Sequence, residues 1–383
     1  MKVAMLNMDF RENGRNYTAP EPLFHTAVAA LLQGLARIPE VEVHAISCTQ
    51  RPVTAPEKLA SNIFYHSLLV PKLGWLRTGY QGCIRATRKK LHEIRPDIVH
   101  GQGTERDCAL SALFGGFPNV VTVHGNMRQV AQVVGGRPFS FHWLAARLES
   151  FTLPRTDGVV CITSYTRAAV QALARRTWLL PNAVDAAFFD LNAARLPEQP
   201  PVILCVGTIY PLKNQNAFIK ALDPLAKRLR FKLIFLGLPD RGAYGAEFLE
   251  LVKARDWCEY VGQADRDRVR ELFSRASILA LPTLEDNCPM VVLEAMAAGV
   301  PVLASNVGGL PDLITHEKTG IFCDPQHPDS FREGVARLLE NPDLARRLAE
   351  NAKMEALRRF HPQTIARRHL EIYREVLREK AKV

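Results

Sequence analysis

The feature that most constrains the fold is a regular alternation of short β-branched or apolar runs with longer segments that are apolar at helical spacing. In the first half of the 383-residue chain, residues 24–38 have this helical spacing. Strands are predicted at residues 2–6, 41–47, 97–100, 119–124 and 158–162. Because strands that alternate with helices build βαβ units, the pattern predicts an α/β fold with a doubly wound parallel sheet.

A second series of the same kind begins after a polar, proline-containing stretch that ends at residues 198–201 and is typical of a hinge. Its strands are predicted at residues 202–206, 232–236, 259–261, 278–281, 301–304 and 320–322. From residue 328 onward the sequence is helical, in two stretches broken near residues 360–362. A chain of this length exceeds what one core usually serves, so we predict two Rossmann-like domains facing one another across a cleft.

The cysteines and the hydropathy pattern indicate the compartment. Eight cysteines are scattered without a close pair, which argues against a zinc cluster and a disulfide framework and favours reduced thiols. The first apolar run is too short for a signal peptide, and no run approaches the roughly 20 apolar residues that span a bilayer. We therefore expect a cytoplasmic protein that is not integral to a membrane.

The net charge of +10 and the pI near 9.3 favour an anionic partner: nucleic acid, a membrane surface or a small anionic substrate. Residues 72–95 are densely basic and interleaved with leucine, tryptophan and tyrosine. Such a helix suits the inner face of a membrane, although a solvated helix face is the plainer interpretation. A zinc-finger or aromatic RNA-binding signature is missing from the sequence, which argues against nucleic acid.

Two loops in the second half carry the strongest candidate chemistry. In residues 282–299 an acidic loop follows a strand, Pro289 stands where a helix would begin, and Glu294 lies within the apolar helix. The amides of a helix start suit a diphosphate, and two acids suit ligand hydroxyls, although Asp286 or Asn287 would also serve as a plain N-cap. In residues 206–216, Gly207 follows a strand and Lys213 stands at a helix entrance, where it either meets an anion or is simply solvated.

Candidates in the first half lie after the predicted strands. His124 ends one strand and His100 another, although a lone histidine is more often structural. Further candidates for contact with a phosphate or an acceptor are Asn13 and Gly14 in the loop at residues 9–22, together with Gly103 and Glu105.

Taken in order along the chain, these motifs resemble those of the family 4 retaining glycosyltransferases, which have the GT-B fold. The matching segments are residues 96–100, 122–125, 181–185, 206–207 with Lys213, 285–299, and 301–304 leading to Gly308, Gly309 and Ile314. The resemblance implies an N-terminal acceptor domain over residues 1–185 and a donor domain over 186–360. It also implies a C-terminal helix over 361–383 that packs back on the first domain.

The resemblance assigns roles to individual residues. Lys213 would neutralise the diphosphate, Asp286 would bind sugar hydroxyls, Glu294 would bind the ribose, and His124 would approach the sugar. The remaining donor-binding candidates are Gly207, Thr208, Glu285, Asn287, Cys288, Pro289 and Met290. Thr208 stands where the family commonly has arginine, Glu285 precedes the first acid, and the usual glycine pair after the first strand is replaced by the loop at residues 9–22.

The expected reaction moves a sugar from a nucleoside diphosphate sugar to a hydroxyl group with retention, in polysaccharide, glycolipid or other glycoconjugate synthesis. The donor is a substrate, and we expect neither a cofactor nor a metal, since no aspartate-x-aspartate motif lies in a suitable loop. The acceptor is either a free or a lipid-linked hydroxyl, with peripheral contact to an anionic membrane. The alternatives are a sugar-nucleotide epimerase of the same fold and a non-catalytic sugar-binding protein.

Overall fold

The computed structural model describes residues 1–133, 135–191 and 199–382. Most of the predicted hinge, at residues 192–198, lies outside this part of the chain. Two compact units are present: unit 1 comprises residues 1–183 with 362–383, and unit 2 comprises residues 184–361.

Unit 1 is built on an eight-stranded sheet with helices between its strands. The strands are β1 (Lys2–Leu6), β2 (Glu42–Thr49), β3 (Lys58–Ala60), β4 (Ile63–Leu69), β5 (Ile98–Gln102), β6 (Asn119–Val123), β7 (Val159–Cys161) and β8 (Thr177–Leu179). The helices are α1 (Phe10–Gly14), α2 (Thr26–Leu35), α3 (Gln81–Ile94), α4 (Asp107–Leu113), α5 (Met127–Val133), α6 (Phe141–Thr152) and α7 (Ser164–Val170). The strand order is β3-β4-β2-β1-β5-β6-β7-β8, and all neighbours are parallel except β3 and β4.

Unit 2 repeats this architecture on a six-stranded, fully parallel sheet. Its strands are β9 (Val202–Val206), β10 (Lys232–Leu236), β11 (Cys258–Gly262), β12 (Ile278–Leu281), β13 (Val302–Ser305) and β14 (Ile321–Cys323). Its helices are α8 (Gln215–Ala226), α9 (Ala243–Lys253), α10 (Arg266–Arg275), α11 (Met290–Ala298), α12 (Asp329–Glu340) and α13 (Pro342–Arg359). The strand order β11-β10-β9-β12-β13-β14 places β9 where the order reverses, which is where open α/β sheets bind ligands.

The last helix, α14 (Pro362–Lys380), belongs to unit 1 although it follows unit 2 in the chain. It packs against α2, and its buried residues Ile365, Leu370 and Tyr373 join the same core as β1 and β2. At Gly34 of α2 a Cβ atom would lie 2.1 Å from the carbonyl oxygen of Pro362, so this helix contact depends on the missing side chain.

Every strand predicted from the sequence is present, with ends shifted by two residues or fewer. Three strands, β3, β4 and β8, were not predicted, because they lie at or near the sheet edges and only partly bury their side chains. The C-terminal region forms three helices rather than two, since Asn341 caps α13 by accepting a hydrogen bond from the Leu344 amide (3.0 Å). Within the described residues, no helix combines the length and apolar character needed to cross a bilayer.

Candidate functional site

Gly207 lies at the carboxyl end of β9, at the switch point of the unit 2 sheet. Its φ of 148° falls in a region that favours glycine, and a Cβ atom there would meet no atom within 4 Å. The backbone at this point is therefore open to a ligand. Thr208, which follows, is exposed, and its carbonyl accepts a hydrogen bond from Gln215 Nε2 (3.0 Å).

Lys213 and Asp286, two of the predicted site residues, form an ion pair through Lys213 Nζ and Asp286 Oδ2. Two hydrogen bonds join the loops that carry them, because the Leu212 carbonyl accepts from Thr283 Oγ1 (3.0 Å) and from the Leu284 amide (2.7 Å). The structure therefore brings the candidate cation and the first acid of the motif together at one sheet edge.

The loop that carries Asp286 is shaped by a close backbone approach. A Cβ atom on Gly308, whose φ is 56°, would lie 2.0 Å from the Asp286 carbonyl oxygen, and the Gly309 amide donates to that oxygen (3.0 Å). Asp286 Oδ1 accepts a hydrogen bond from the Asn287 amide (3.0 Å). Glu285, beside it, is half-buried, and Thr283 Oγ1 donates to its carbonyl (2.7 Å).

Helix α11 begins directly after this loop, with Pro289 at the N-cap position. The alternative in which Asp286 or Asn287 is only the N-cap of this helix is wrong, because both residues precede the cap. Among the described residues, no side chain caps the start of α11, so the amides from Met290 onward have no capping side chain. Cys288 is buried beside this helix start. The positive end of the helix is thus suited to an anion.

Glu294, the second acid, is only 2% exposed. Its carboxylate accepts a hydrogen bond from a guanidinium nitrogen of Arg266 (2.8 Å). Burial raises the pKa of its carboxyl, and the charge of Arg266 opposes that rise. The Arg266 guanidinium also lies over the Phe188 ring, 5.0 Å from its centroid. Sequence reasoning missed Arg266; the available signal was its place at the start of α10, shortly after β11.

In unit 1, the predicted His124 directly follows β6, and its Nε2 contacts Gln102 Oε1 at the end of β5 (2.9 Å). Burial lowers the pKa of His124 to about 3, so the ring is neutral at physiological pH. His100 is fully buried, with Nδ1 near the Tyr373 hydroxyl (2.6 Å) and Nε2 near Thr122 Oγ1 (2.7 Å). His100 is therefore a structural residue of the core between the sheet and α14.

Glu105 and Gly103 lie together on the adjacent loop. Gly103 has a φ of 90°, and a Cβ atom there would lie 2.1 Å from Glu105 Oε2. A Cβ atom on Gly125, the residue after His124, would be 3.5 Å from Glu105 Oε1. Burial raises the pKa of the Glu105 carboxyl to about 7. The structure thus places Glu105 beside the loop that carries His124.

A buried glutamate that sequence reasoning missed supports both of these loops. Glu149 of α6 accepts hydrogen bonds from Thr104 Oγ1 (2.6 Å), the Met127 amide (3.1 Å) and the Arg128 amide (3.3 Å). It therefore joins the loop after β5 to the start of α5. Glu149 acts as a positioning residue for the segment that includes Glu105 and His124.

The loop at residues 9–22, a candidate for contact with a phosphate or an acceptor, is partly helical. It contains α1 and is organised by a buried ion pair between Asp9 Oδ2 and an Arg11 guanidinium nitrogen (2.7 Å). Gly14 ends α1, where a helix presents carbonyl groups rather than amides, so this end does not suit a phosphate. The side chain of Asn13 lies outside the part of the chain that the structure describes.

Two of the eight cysteines meet in the core of unit 1. All eight lie in the described residues, and none of them forms a disulfide there. Although they are far apart in sequence, Cys48 and Cys83 lie beside Asp107, and the ligand atoms of the three residues are within 4.8 Å of one another. A hydrogen bond with Cys48 and burial raise the pKa of the Cys83 thiol, and burial raises that of Asp107.

Two family models match the chain and together extend over both units. The first, described as Glycosyltransferase Family 4, matches residues 25–188. The second, described as Glycosyl transferases group 1, matches residues 188–355.

Characterised and uncharacterised relatives agree with these matches. An uncharacterized glycosyltransferase of Methanocaldococcus jannaschii is 31% identical over 204 residues, or 50% of this chain and 52% of that protein. A GDP-mannose-dependent alpha-(1-6)-phosphatidylinositol monomannoside mannosyltransferase of Mycobacterium tuberculosis is 30% identical over 217 residues, or 50% and 54% of the two chains. The matched part thus spans about half the length of these relatives.

Solved structures are similar over nearly the whole chain. The sucrose-phosphate synthase of Thermosynechococcus elongatus superimposes with a TM-score of 0.78 at 22% identity, covering 99% of this chain and 100% of that one. Anabaena HepE in complex with UDP-glucose superimposes with a TM-score of 0.70 at 17% identity, covering 98% and 100%. At these identities the likeness establishes the fold.

Proposed function

The chain belongs to the family 4 glycosyltransferases of the GT-B fold, and we propose that it transfers a sugar from a nucleoside diphosphate sugar to a hydroxyl group. The observation that carries the proposal is the Lys213–Asp286 pair, held beside Gly207 and the start of α11. It combines a cation, a carboxylate, an open backbone position and a helix start without a capping side chain at the carboxyl end of one sheet. A diphosphate sugar offers a chemical partner to each of these groups.

The proposed donor contacts follow from charge and polarity. The Lys213 ammonium and the α11 amides bind the diphosphate, and Asp286 accepts hydrogen bonds from sugar hydroxyls. Glu294 binds the ribose hydroxyls, while Arg266 holds its carboxylate in place. Among the comparisons, HepE was solved with UDP-glucose and the mycobacterial relative is named as dependent on GDP-mannose, which supports a nucleotide sugar without identifying the base.

The proposed reaction retains the anomeric configuration. The bond between the anomeric carbon and the diphosphate oxygen breaks, a bond to the acceptor oxygen forms, and the acceptor proton passes to the departing diphosphate. Negative charge grows on that diphosphate in an oxocarbenium-like transition state, so Lys213 and the α11 amides act by electrostatic stabilisation. No step in this scheme requires a metal ion.

The acceptor is proposed to bind through unit 1, where Glu105 and His124 offer polar groups that favour their neutral forms. Such groups suit a hydroxyl of a polysaccharide, glycolipid or other glycoconjugate. The mycobacterial relative is named for transfer to a phosphatidylinositol monomannoside, which supports a lipid-linked acceptor for this chain. Peripheral contact with an anionic membrane is part of this proposal.

A thermal-shift screen over nucleoside diphosphate sugars tests the donor, since a ligand that binds only the folded protein raises the melting temperature. The best donor is then incubated with candidate acceptors in EDTA, and the anomeric configuration of the product is read by NMR. Transfer with retention in EDTA supports the proposal. Conversion of the donor to an isomer without acceptor identifies an epimerase, and donor binding without turnover identifies a sugar-binding protein.

A further inference from the structure

Residues 58–92 of unit 1 form a long basic segment. These 35 residues contain seven lysines and arginines and no aspartate or glutamate. The expected single helix is only partly present: two 3₁₀ turns, Lys72–Gly74 and Leu76–Thr78, precede α3. On α3, Arg85, Arg88 and Lys89 are exposed. Arg88 and Lys89 follow Arg85 by three and four residues, so both lie on the same face as Arg85.

An apolar groove of about 460 Å³ opens between these turns and the start of α3. Most of its lining is apolar, including Val70, Leu73 and Ala86, with Arg85 also contributing. Leu69 and Leu73 are 57% and 69% exposed, which is unusual for two leucines at one groove. Next to this groove, Trp75 and Tyr80 are buried in a hydrophobic cluster with Cys83 and Ile84.

Helix α6 packs on the same hydrophobic cluster, since Leu148 contacts the cluster that contains Trp75 and Tyr80. Its outer side carries aromatic and basic residues at four-residue spacing. Arg147 lies over the Trp143 ring (5.0 Å to the centroid) and Arg155 over the Phe151 ring (4.1 Å). Among the described residues, the phenylalanines classed as exposed are Phe114, Phe139, Phe141 and Phe151, which lie on α6 or flank α4 and α6.

We propose that the groove and the outer side of α6 form a docking face for the surface of an anionic phospholipid bilayer. This inference rests on the membrane contact in the proposed function and assigns it to named residues. Lipid phosphates complement Lys72, Arg77 and the three basic residues of α3, and the acyl region complements Leu69, Leu73 and Phe151. A nucleic acid would match the charges but would leave the apolar groove and leucines in water.

Cosedimentation with vesicles of phosphatidylcholine, with and without phosphatidylglycerol, tests the proposal at low salt. The wild-type protein should bind only the anionic vesicles. The triple variant R85Q/R88Q/K89Q should lose roughly a hundred-fold in partitioning, at about five-fold for each charge removed near the surface. The matched control K227Q/R228Q/R230Q removes the same charge from exposed positions of unit 2 and should stay within about two-fold of wild type.

Urea unfolding of each variant checks that the fold is kept. If the triple variant does not fold, Leu73→Ser provides the second test, since it removes an exposed apolar side chain and should reduce binding roughly three-fold or more. The proposal is overturned if wild-type protein does not sediment with anionic vesicles, if the unit 2 control loses as much binding as the α3 variant, or if duplex DNA displaces the protein from vesicles. The assay contains neither donor nor acceptor, so failure of the proposed transfer reaction leaves its result intact.

Discussion

The two units present opposite electrostatic arrangements at the carboxyl ends of their strands. In unit 2 the candidate residues stand in pairs of opposite charge, Lys213 with Asp286 and Arg266 with Glu294. In unit 1 one buried ion pair, Asp9 with Arg11, lies in the loop after β1, and seven other titratable groups are shifted toward their neutral forms. Burial lowers the pKa values of His25, His100, His124 and His369 and raises those of Glu105, Asp107 and Glu149.

Because of this difference, the carboxyl end of each sheet suits a different kind of ligand. Charged pairs exchange readily for an ionic ligand, because an incoming diphosphate replaces a carboxylate as the partner of a cation. Neutral imidazole and carboxyl groups bind hydroxyls without a large desolvation penalty. The sequence left Gly103 and Glu105 open between a phosphate contact and an acceptor contact, and the pKa shifts in unit 1 favour the acceptor.

Replacing Lys213 with alanine removes the cation of the Lys213–Asp286 pair in unit 2, and we expect this change to have the largest effect of those proposed. We expect turnover to fall roughly 10²- to 10³-fold, because a preorganised cation facing the departing diphosphate is lost. Donor binding should weaken much less, since the α11 amides remain. Steady-state kinetics and donor titration of the same preparation measure both quantities.

The control for Lys213 is Lys220→Ala on the same segment, where an exposed lysine pairs with Glu247. That variant should keep turnover within about two-fold of wild type, because exposed ion pairs contribute little. Near wild-type turnover of the Lys213 variant would remove the proposed role of this lysine.

Glu149→Ala tests the structure of the unit 1 edge. Three donors, on Thr104, Met127 and Arg128, lose their acceptor, so the free energy of unfolding should fall by about 3 kcal/mol. Urea denaturation measures the change. Glu149→Gln keeps one acceptor oxygen and should lose less than half as much, and equal losses for the two variants would contradict the hydrogen-bond account.

Glu294→Gln should weaken donor binding roughly thirty-fold, because an amide replaces the carboxylate acceptor proposed for the ribose and no longer pairs with Arg266. Arg266→Ala, made alone and combined with Glu294→Gln, completes a double-mutant cycle. Isothermal titration with the best donor gives the affinities. Additive effects of the two substitutions would show that Arg266 does not act through Glu294.

The features that could be predicted from the sequence depend on residues close to one another along the chain. The features that were missed depend on contacts between residues far apart in sequence. Eleven of the fourteen strands were predicted because each is an apolar run flanked by helical spacing, and the Asp286–Glu294 pair because the two acids are close in sequence. Arg266 and Glu149 were missed because their importance comes from a buried hydrogen-bond partner in another element. Neither residue differs, in sequence alone, from an exposed charge on a helix.

The loop at residues 9–22 and the cysteine cluster show the same limit. A polar loop with an Asn-Gly pair predicts backbone amides for an anion, yet the buried Asp9–Arg11 pair folds part of it into α1. Cys48, Cys83 and Asp107 are far apart in sequence, and only the packing of β2, α3 and α4 brings them together. Contacts of this kind join residues that are distant along the chain, so no regular spacing in the sequence predicts them.

Glu105→Gln tests the neutral character of the unit 1 edge with the smallest expected effect. The folded-state pKa of about 7 lies above the ordinary glutamate value of 4.5, so the folded protein keeps a proton that the unfolded chain releases between these pH values. This group therefore stabilises the fold most below pH 4.5, and that stabilisation is lost as pH rises through 7.

The nearby histidines have lowered pKa values, so they change stability in the opposite direction as pH rises toward 6.5. Both proteins contain these histidines. Their contribution therefore cancels when the pH dependence of the unfolding free energy of the wild type is subtracted from that of Glu105→Gln. Unfolding free energies at pH 5 and pH 8 should show that the variant gains about 1 kcal/mol relative to wild type at the higher pH, a value reduced for solvent screening. A difference of zero would mean that Glu105 is ionised at neutral pH, and the unit 1 edge would then share the charged character of unit 2.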